Sequence, residues 1–446
     1  FNDIYKLQPG HYIVIKDQGR VIDNPKPYWS VYRKQDKELE TDLNFHESKL
    51  EELLNDSVSK RMLSDVPVGA FLSGGIDSSV VTALMQKNSN DPIKTFSIGF
   101  EEDSHNEAVY AKDIANYLNT DHKELYISPE DLINTLPEII EVFDEPFADP
   151  SQIPTYLVAQ LASQDVKVVL SGDGGDELFF GYKRYLQAQR LWKKILFVPY
   201  FLRKAISLLI QKTPFLILHS MTIFFPKRLL PEYPIDRLLK LCHLFESKDW
   251  YQFYETFMLG KYSKSFVLGL VETFSSFKTP SENLEKEALH NKMMLTDVIT
   301  YLPDDILTKV DRTSMAVSLE ARVPLLDHRI VEFARDMPLT YKFREGQQKW
   351  ILKEILGNYV PKKLTNRGKK GFGIPIDSWL RGPLKDFADD IIMNKEIDKQ
   401  GYLDSSEITK IWKEHLDGRR RWHIPIWRIL IFQMWLENKK LEKING

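Results

Sequence analysis

Cysteine is nearly absent: the 446 residues hold one, Cys242. A lone thiol excludes an internal disulfide framework and any zinc or iron–sulfur site built on cysteines. It suits a reducing cytoplasm, the expected compartment. Charge of one sign is not in excess either. Sixty Lys and Arg against 63 Asp and Glu leave −3, so no global field draws nucleic acid or an anionic membrane. Long hydrophobic runs are also missing. The most apolar region, Leu191 to Phe225, is interrupted by Lys193, Lys194, Arg203, Lys204 and Lys212. Its longest uncharged stretch, Thr213 to Pro226, falls short of the roughly 20 residues a spanning helix needs. A buried or amphipathic helical region fits it best, with a peripheral membrane contact through its basic side as the lesser reading. The ten histidines show no metal-type spacing. The opening residue is Phe1, followed by polar residues. That start shows no signal peptide and suggests a piece of a longer protein.

What is present is a core-forming composition, 43% hydrophobic, over a length that suits two or three domains. The first 35 or so residues read as two short strands, one at His11-Tyr-Ile-Val-Ile15, then a proline-bearing, charged linker. Two strands alone make no stable domain, so residues 1–40 are expected to be the tail of one. From His46 a helix to Met62 precedes a regular alternation. Strands are expected at Val68–Leu72, Lys94–Ile98, His122–Ile127 and Val166–Leu170. Helices are expected at Asp77–Lys87, Glu107–Leu118, Leu132–Phe143 and Thr155–Ser163. Apolar strands alternating with helices indicate an α/β fold with a parallel sheet. Beyond Tyr185 helical patterns dominate and strands are hard to find. The organisation expected for residues 41–446 is therefore an α/β core over about 46–185 and a helical part over about 186–446.

Two glycine loops carry the chemistry. Ser73-Gly-Gly-Ile-Asp-Ser-Ser79 lies between a strand and a helix. Glycines let backbone N–H groups converge on an anion, and the helix start favours phosphate. Asp77 beside a phosphate makes sense with Mg²⁺ between them. The plainer reading is a glycine turn with Asp77 as helix N-cap. The motif lacks the Gly-Lys-Ser/Thr ending of a γ-phosphate-binding P-loop. The second loop, Ser171-Gly-Asp-Gly-Gly-Asp-Glu-Leu178, follows a strand and carries Asp173, Asp176 and Glu177. Ligands of open parallel sheets collect outside such strand ends. Two acid-bearing loops at one sheet edge can jointly hold Mg²⁺ and a polyphosphate.

Ser73–Ser79 resembles the pyrophosphate-binding loop of ATP-pyrophosphatase-type adenylating enzymes. Together with Leu170–Tyr182 it resembles the synthetase domain of glutamine-hydrolysing asparagine synthetases. Matching stretches include Met62–Gly69, Thr95–Phe100, Phe143–Asp149, Tyr301–Leu307, Lys309–Arg312, Ser318–Asp327 and Arg367–Pro375. The resemblance implies an adenine-nucleotide α-hydrolase-like core. It implies that Ser73, Gly74, Gly75, Ser78 and Ser79 hold the ATP phosphates, with Asp173 also at the nucleotide. Asp77 and Asp176 would hold Mg²⁺. Phe71, Leu72, Ile98, Ser171 and Gly172 would border adenosine. Lys369 aligns with a catalytic lysine, and its neighbour Lys370 reads as a surface charge. Glu177 joins Lys369 as a catalytic candidate, and Glu320 and Arg322 are positioning residues or members of structural ion pairs. The implied reaction is adenylation of a carboxylate, aspartate foremost, then displacement of AMP by ammonia.

The opening stretch through Tyr28-Trp29 is similar to the end of that family's glutaminase domain, whose N-terminal cysteine nucleophile is absent here. Glutamine should therefore not replace ammonia. Asp144–Pro150, and Asp173 where glutamate is expected, resemble a bacterial branch that could amidate another carboxylate, such as a sugar acid in surface-polysaccharide assembly. A tRNA-adenylating relative and a non-catalytic nucleotide-binding module are the competing classes. A homodimer is the expected assembly. Arg419-Arg-Arg421 reads as a solvated helix terminus, Trp427–Trp435 as a core-packing helix and Cys242 as buried core.

Overall fold

The computed structural model describes residues 4–16, 20–21, 23–32, 42–100, 106–214, 217–218, 220, 233–260, 266–269, 287–365 and 373–445. The strand expected at His11–Ile15 is divided. β1 (His11–Tyr12) and β4 (Lys26–Pro27) pair antiparallel, and β2 (Ile15–Lys16) pairs likewise with β3 (Arg20–Val21). Most of the charged linker after them lies outside the described residues.

The central sheet comprises β5 (Val68–Phe71), β6 (Lys94–Phe100), β7 (Asp121–Ile127), β8 (Val168–Leu170) and β9 (Glu320–Arg322). They lie in the order β7-β6-β5-β8-β9, every pair parallel. The inner strands β6 and β8 are buried along almost their whole length, as strands covered on both faces must be. β7 alternates exposed and half-buried residues and carries Asp121, Lys123 and Glu124, a charged edge that resists stray pairing. β9 corrects the expectation of an almost strandless second half. Three residues flanked by charge, Glu320-Ala-Arg322, offer no apolar run to recognise, and only the edge of β8 makes them a strand.

Connecting helices are α1 (Leu43–Met62), α2 (Ile76–Lys87), α3 (Ala108–Leu118), α4 (Pro129–Val142) and α5 (Gln152–Ser163). α4 begins three residues before its apolar pattern does. Ser128 and Asp131 form a reciprocal capping box there, with Pro129 at the first turn. The late chain then closes over both faces. On one, Ile139, Ala159 and Val169 pack with Trp379, Trp412 and Trp427. On the other, Leu50, Val80 and Leu84 pack with Ile330, Ile351 and Leu352.

The chain runs from β5 outward through β6 to β7, then returns to β8 on the opposite side of β5. The connections therefore part company between β5 and β8. Such a switch point opens a crevice at the strands' C-terminal ends, where both glycine loops emerge.

Candidate active site

Leu72 extends β5 by donating its N–H to Phe96 O at 2.9 Å. Gly74 then turns through φ +68°, and Gly75 is the N-cap of α2 with no side-chain bond of its own. Asp77 sits in the first helical turn and does not cap it, which sets aside the plainer reading of that residue. Ser78 Oγ receives Ser73 N–H at 3.3 Å and lies 3.1 Å from Ser73 Oγ. Ser79 differs from them. Its fully buried hydroxyl donates to Gly75 O at 2.6 Å, where Ser78 Oγ reaches the same carbonyl only at 3.3 Å, so Ser79 is the more firmly committed to the helix.

The second loop is set by the unforeseen strand, since Ser171 N–H donates to Arg322 O at 2.9 Å. Ser171 Oγ donates to Asp173 Oδ2 at 2.8 Å. Burial pushes the Asp173 carboxyl above the usual range against that hydrogen bond. Gly172 rests on the start of α2: a β-carbon there would stand 2.5 Å from Ser78 N and 2.7 Å from the Asp77 carbonyl carbon. Only glycine lets the two loops meet. Asp176 and Glu177 follow on the short helix α6 (Gly175–Leu178). Ile98, Phe71, Leu72, Ser171 and Gly172 come from three adjacent strands or their ends.

The loops converge on a cation that sequence reasoning missed. Lys349 Nζ bonds Asp77 Oδ2 and lies 2.7 Å from Asp176 Oδ1. Burial works against this ammonium, but Asp176 and then Asp77 outweigh it and raise its pKa. Lys349 has φ +54° and is the N-cap of the helix Trp350–Gly357. A lysine there opposes the helix dipole, a local breach that could have singled it out. Gly181 guards the same contact, for a β-carbon would overlap Asp176 Oδ1 and Lys349 Cε.

Glu177 is buried and belongs to no ion pair among the described residues. Burial foremost, then the Asp176 charge, raises its carboxyl to about 7, while the Tyr182 hydroxyl donates to Oε1 at 2.6 Å and restrains the rise. Around it stands a further polar cluster. Arg184 binds Asp297 at 2.6 Å and stacks 3.6 Å over the Tyr182 ring and 4.6 Å over Tyr301. Lys309 Nζ donates to Asp149 Oδ2 and to Ser151 Oγ, both at 2.7 Å. Asp305, on a π-helical turn over Leu302–Leu307, is raised to about 7 by burial and then by Asp149. Such turns often mark functional sites.

Arg322 donates to the carbonyls of Arg61 at 2.8 Å and Leu63 at 2.9 Å and pairs with Glu320 at 2.7 Å. The Arg322 side chain therefore ties β9 to the end of α1 with Glu320 paired to it on the same strand, and Arg322 meets the second loop only through its backbone carbonyl. Lys369 and Lys370 lie outside the described residues. Cys242 is buried, as expected, and so is Trp427. The arginine triplet follows the end of the helix Ser405–Leu416 with Arg419 and Arg421 exposed, as a solvated terminus would be, and only Arg420 is partly buried, pairing with Asp236 at 2.7 Å and stacking on Trp422. No described helix is long and apolar enough to cross a membrane.

The asparagine synthase family matches this sequence over residues 49–437. The chain belongs to that family. Its similar relatives include asparagine synthetase [glutamine-hydrolyzing] 1 of Bacillus subtilis, 31% identical over 97% of this chain and 65% of the relative. A putative asparagine synthetase of Mycobacterium bovis is 33% identical over 86% of this chain and 56% of its own length. Amidase chyE of Penicillium rubens is 25% identical over 91% and 63%. The chain thus spans between about half and two thirds of the length of these relatives. A solved NMN synthetase from Francisella tularensis is 24% identical over 32% of this chain and 59% of that one, with a TM-score of 0.22. That likeness is too slight to bear on the fold. Family membership agrees with the ATP-pyrophosphatase-type core expected from the two loops.

Proposed function

We propose that this chain makes an amide from a carboxylate, ATP and ammonia through an acyl-adenylate, with aspartate as the carboxylate. The observation that carries the reading is the Lys349 ammonium shared by Asp77 and Asp176 where the two loops meet. These carboxylates already hold one cation in common. Among the described residues no group of three or more Asp, Glu, His or Cys could hold a metal. Two carboxylates with phosphate oxygens completing the shell suit Mg²⁺, so the site fits this ion. Mg²⁺ bound there would neutralise the departing pyrophosphate.

The chain's own residues supply the rest. A substrate carboxylate oxygen attacks the α-phosphorus, forming the acyl–phosphate bond as the α–β bridge breaks. Ser73, Ser78 and the N–H groups of the first loop face the phosphates, and Lys349, with Lys369 by resemblance, offsets their growing charge. Ammonia then attacks the acyl carbon and AMP leaves with the electron pair of the broken C–O bond. The new amine must lose a proton, and Glu177, buried and poised near 7, is the base. Arg184 and Lys309 border the polar cluster beside Glu177 and Asp173, where a substrate carrying a second charge would be read. A different carboxylate, such as a sugar acid, is favoured by Asp173 and the Asp144–Pro150 stretch, and one relative is named an amidase.

Pyrophosphate release with Mg-ATP, ammonia and a panel of carboxylates tests the proposal. Aspartate-dependent release is expected, and Asp77→Asn should abolish it. Release with a uronic acid but not aspartate would overturn the substrate. Release with none, from a folded chain, would favour a binding module.

A further inference from the structure

Residues 178–231 form a run of 54 without one Asp or Glu, in a chain holding 63, yet the run holds ten Lys or Arg. Its described part is a helical pair, α7 (Lys183–Leu196) and α8 (Tyr200–Lys212). α8 is inside out. Its buried stripe is Arg203, 4% exposed, and Ser207, 0% exposed. Arg203 donates to Ser247 O at 3.2 Å, and the Ser207 hydroxyl shares its one proton between Cys242 O and Glu246 Oε1, each at 3.0 Å. Gln211 donates to Glu246 Oε1 at 2.6 Å from the same side. Buried polar groups keep such partners, so the docking of α8 is fixed by its polar stripe. Its apolar stripe is thereby turned to water: Phe201 is 69% exposed and Leu209 71%, and Phe197 in the turn before α8 is 88% exposed. Exposed cations flank this surface at Lys193, Lys194, Lys204 and Lys212, with no ion-pair partner among the described residues.

We infer that the α7–α8 pair docks on an anionic lipid bilayer. A helix of 13 residues, about 20 Å long, lies in the plane of the interface with Phe197, Phe201 and Leu209 in the acyl boundary and the lysines at the headgroups. The charge pattern selects this occupant. A second copy would set its own unpaired lysines against these, and a nucleic acid would leave the large apolar side chains in water. α7 begins directly after Tyr182, the partner of Glu177, so the membrane surface and the candidate active site share one rigid element.

Flotation of the full chain with vesicles of equal parts phosphatidylglycerol and phosphatidylcholine, against pure phosphatidylcholine, tests this without reading catalysis. The chain should float with the anionic vesicles, less so at high salt. Lys193→Ala with Lys194→Ala should lower the partition about thirtyfold, at roughly 1 kcal/mol per surface cation. Phe201→Ser with Leu209→Ser should abolish it while thermal unfolding shows the fold intact, and the lysine pair reports independently if those serines disturb folding. No flotation with anionic vesicles overturns the inference, as does flotation that both sets of variants leave unchanged. A solution dimer dissolved by Phe201→Ser, or polynucleotide binding without vesicle binding, overturns it too.

Discussion

Polar side chains are buried both at the switch point of the sheet and along α8, with opposite results. At the ends of β5 and β8, Asp77, Asp176 and Lys349 converge from three segments on one point, and glycines at 172 and 181 clear the space between them. The charges there face one another and can be exchanged for those of a ligand. Along α8, Arg203 and Ser207 are spent on holding the helix in place, and what they leave outside is apolar. A buried polar group thus frames a candidate site when its partners are charges brought in from other segments. It builds an orientation when, as for Arg203 and Ser207, its partners at Ser247 O, Cys242 O and Glu246 Oε1 all lie on one neighbouring segment, and the opposite face is then left to water.

The largest expected effect breaks the first arrangement. Lys349→Met leaves Asp77 and Asp176 as like charges without their shared cation. Pyrophosphate release should fall about 10²- to 10³-fold, the scale for losing one preorganised charge stabiliser. The metal-free chain should also lose several kcal/mol of stability, because a buried pair broken on one side leaves uncompensated charge. Mg²⁺ should then raise the melting temperature of the variant more than that of the parent. An unchanged rate would make the three-residue convergence a structural tie only.

Glu177→Gln comes next, at about a hundredfold loss in amide formation with adenylation retained. At constant free ammonia the parent's rate should rise through about pH 7 as Glu177 ionises, and the variant should lack that limb. The stability effect has its own sign. The folded carboxyl titrates near 7 and the unfolded one near its ordinary 4.5, so between those values the folded chain holds the extra proton. Native stability therefore falls as pH rises through that window. The variant should gain on the parent there by on the order of 3 kcal/mol and no further above pH 7. A gap that does not change with pH would show that Glu177 is not held protonated.

The two loops were legible because glycine, strand and acid follow one another within seven or eight residues, and β5, β6 and β8 were legible because they are largely apolar runs between helical patterns. β9 was not, since Glu320-Ala-Arg322 is a strand only by pairing with β8. Lys349 lies 272 residues from Asp77, and no local pattern brings them together. The acid-free run was visible as an apolar, basic stretch. Which side of α8 faces outward was not, because that depends on Cys242 in the helix Pro234–Phe245 and on Glu246 and Ser247 just past its end.

Gly172→Ala sharpens the contrast by asking how tightly the loops are pressed. Its β-carbon would meet backbone atoms of Asp77 and Ser78, which cannot swing aside as a side chain can. Overpacking of that kind costs about 1–3 kcal/mol, to be read as a lower urea midpoint at constant slope. A neutral result would mean that the loops can part without loss.

The smallest effects lie on α8, where intuition about hydrophobic residues should fail. Ser207→Ala removes the hydroxyl that satisfies Cys242 O and Glu246, both on the buried side, and should cost about 1 kcal/mol. Leu209→Ser, the larger loss of apolar atoms, should change stability by less than about 0.5 kcal/mol, because the leucine is already in water. Paired urea titrations of the two variants read the difference directly. If Leu209→Ser proves the more destabilising, that leucine packs against the fold in solution, and the outward apolar face of α8 is not free to meet a membrane.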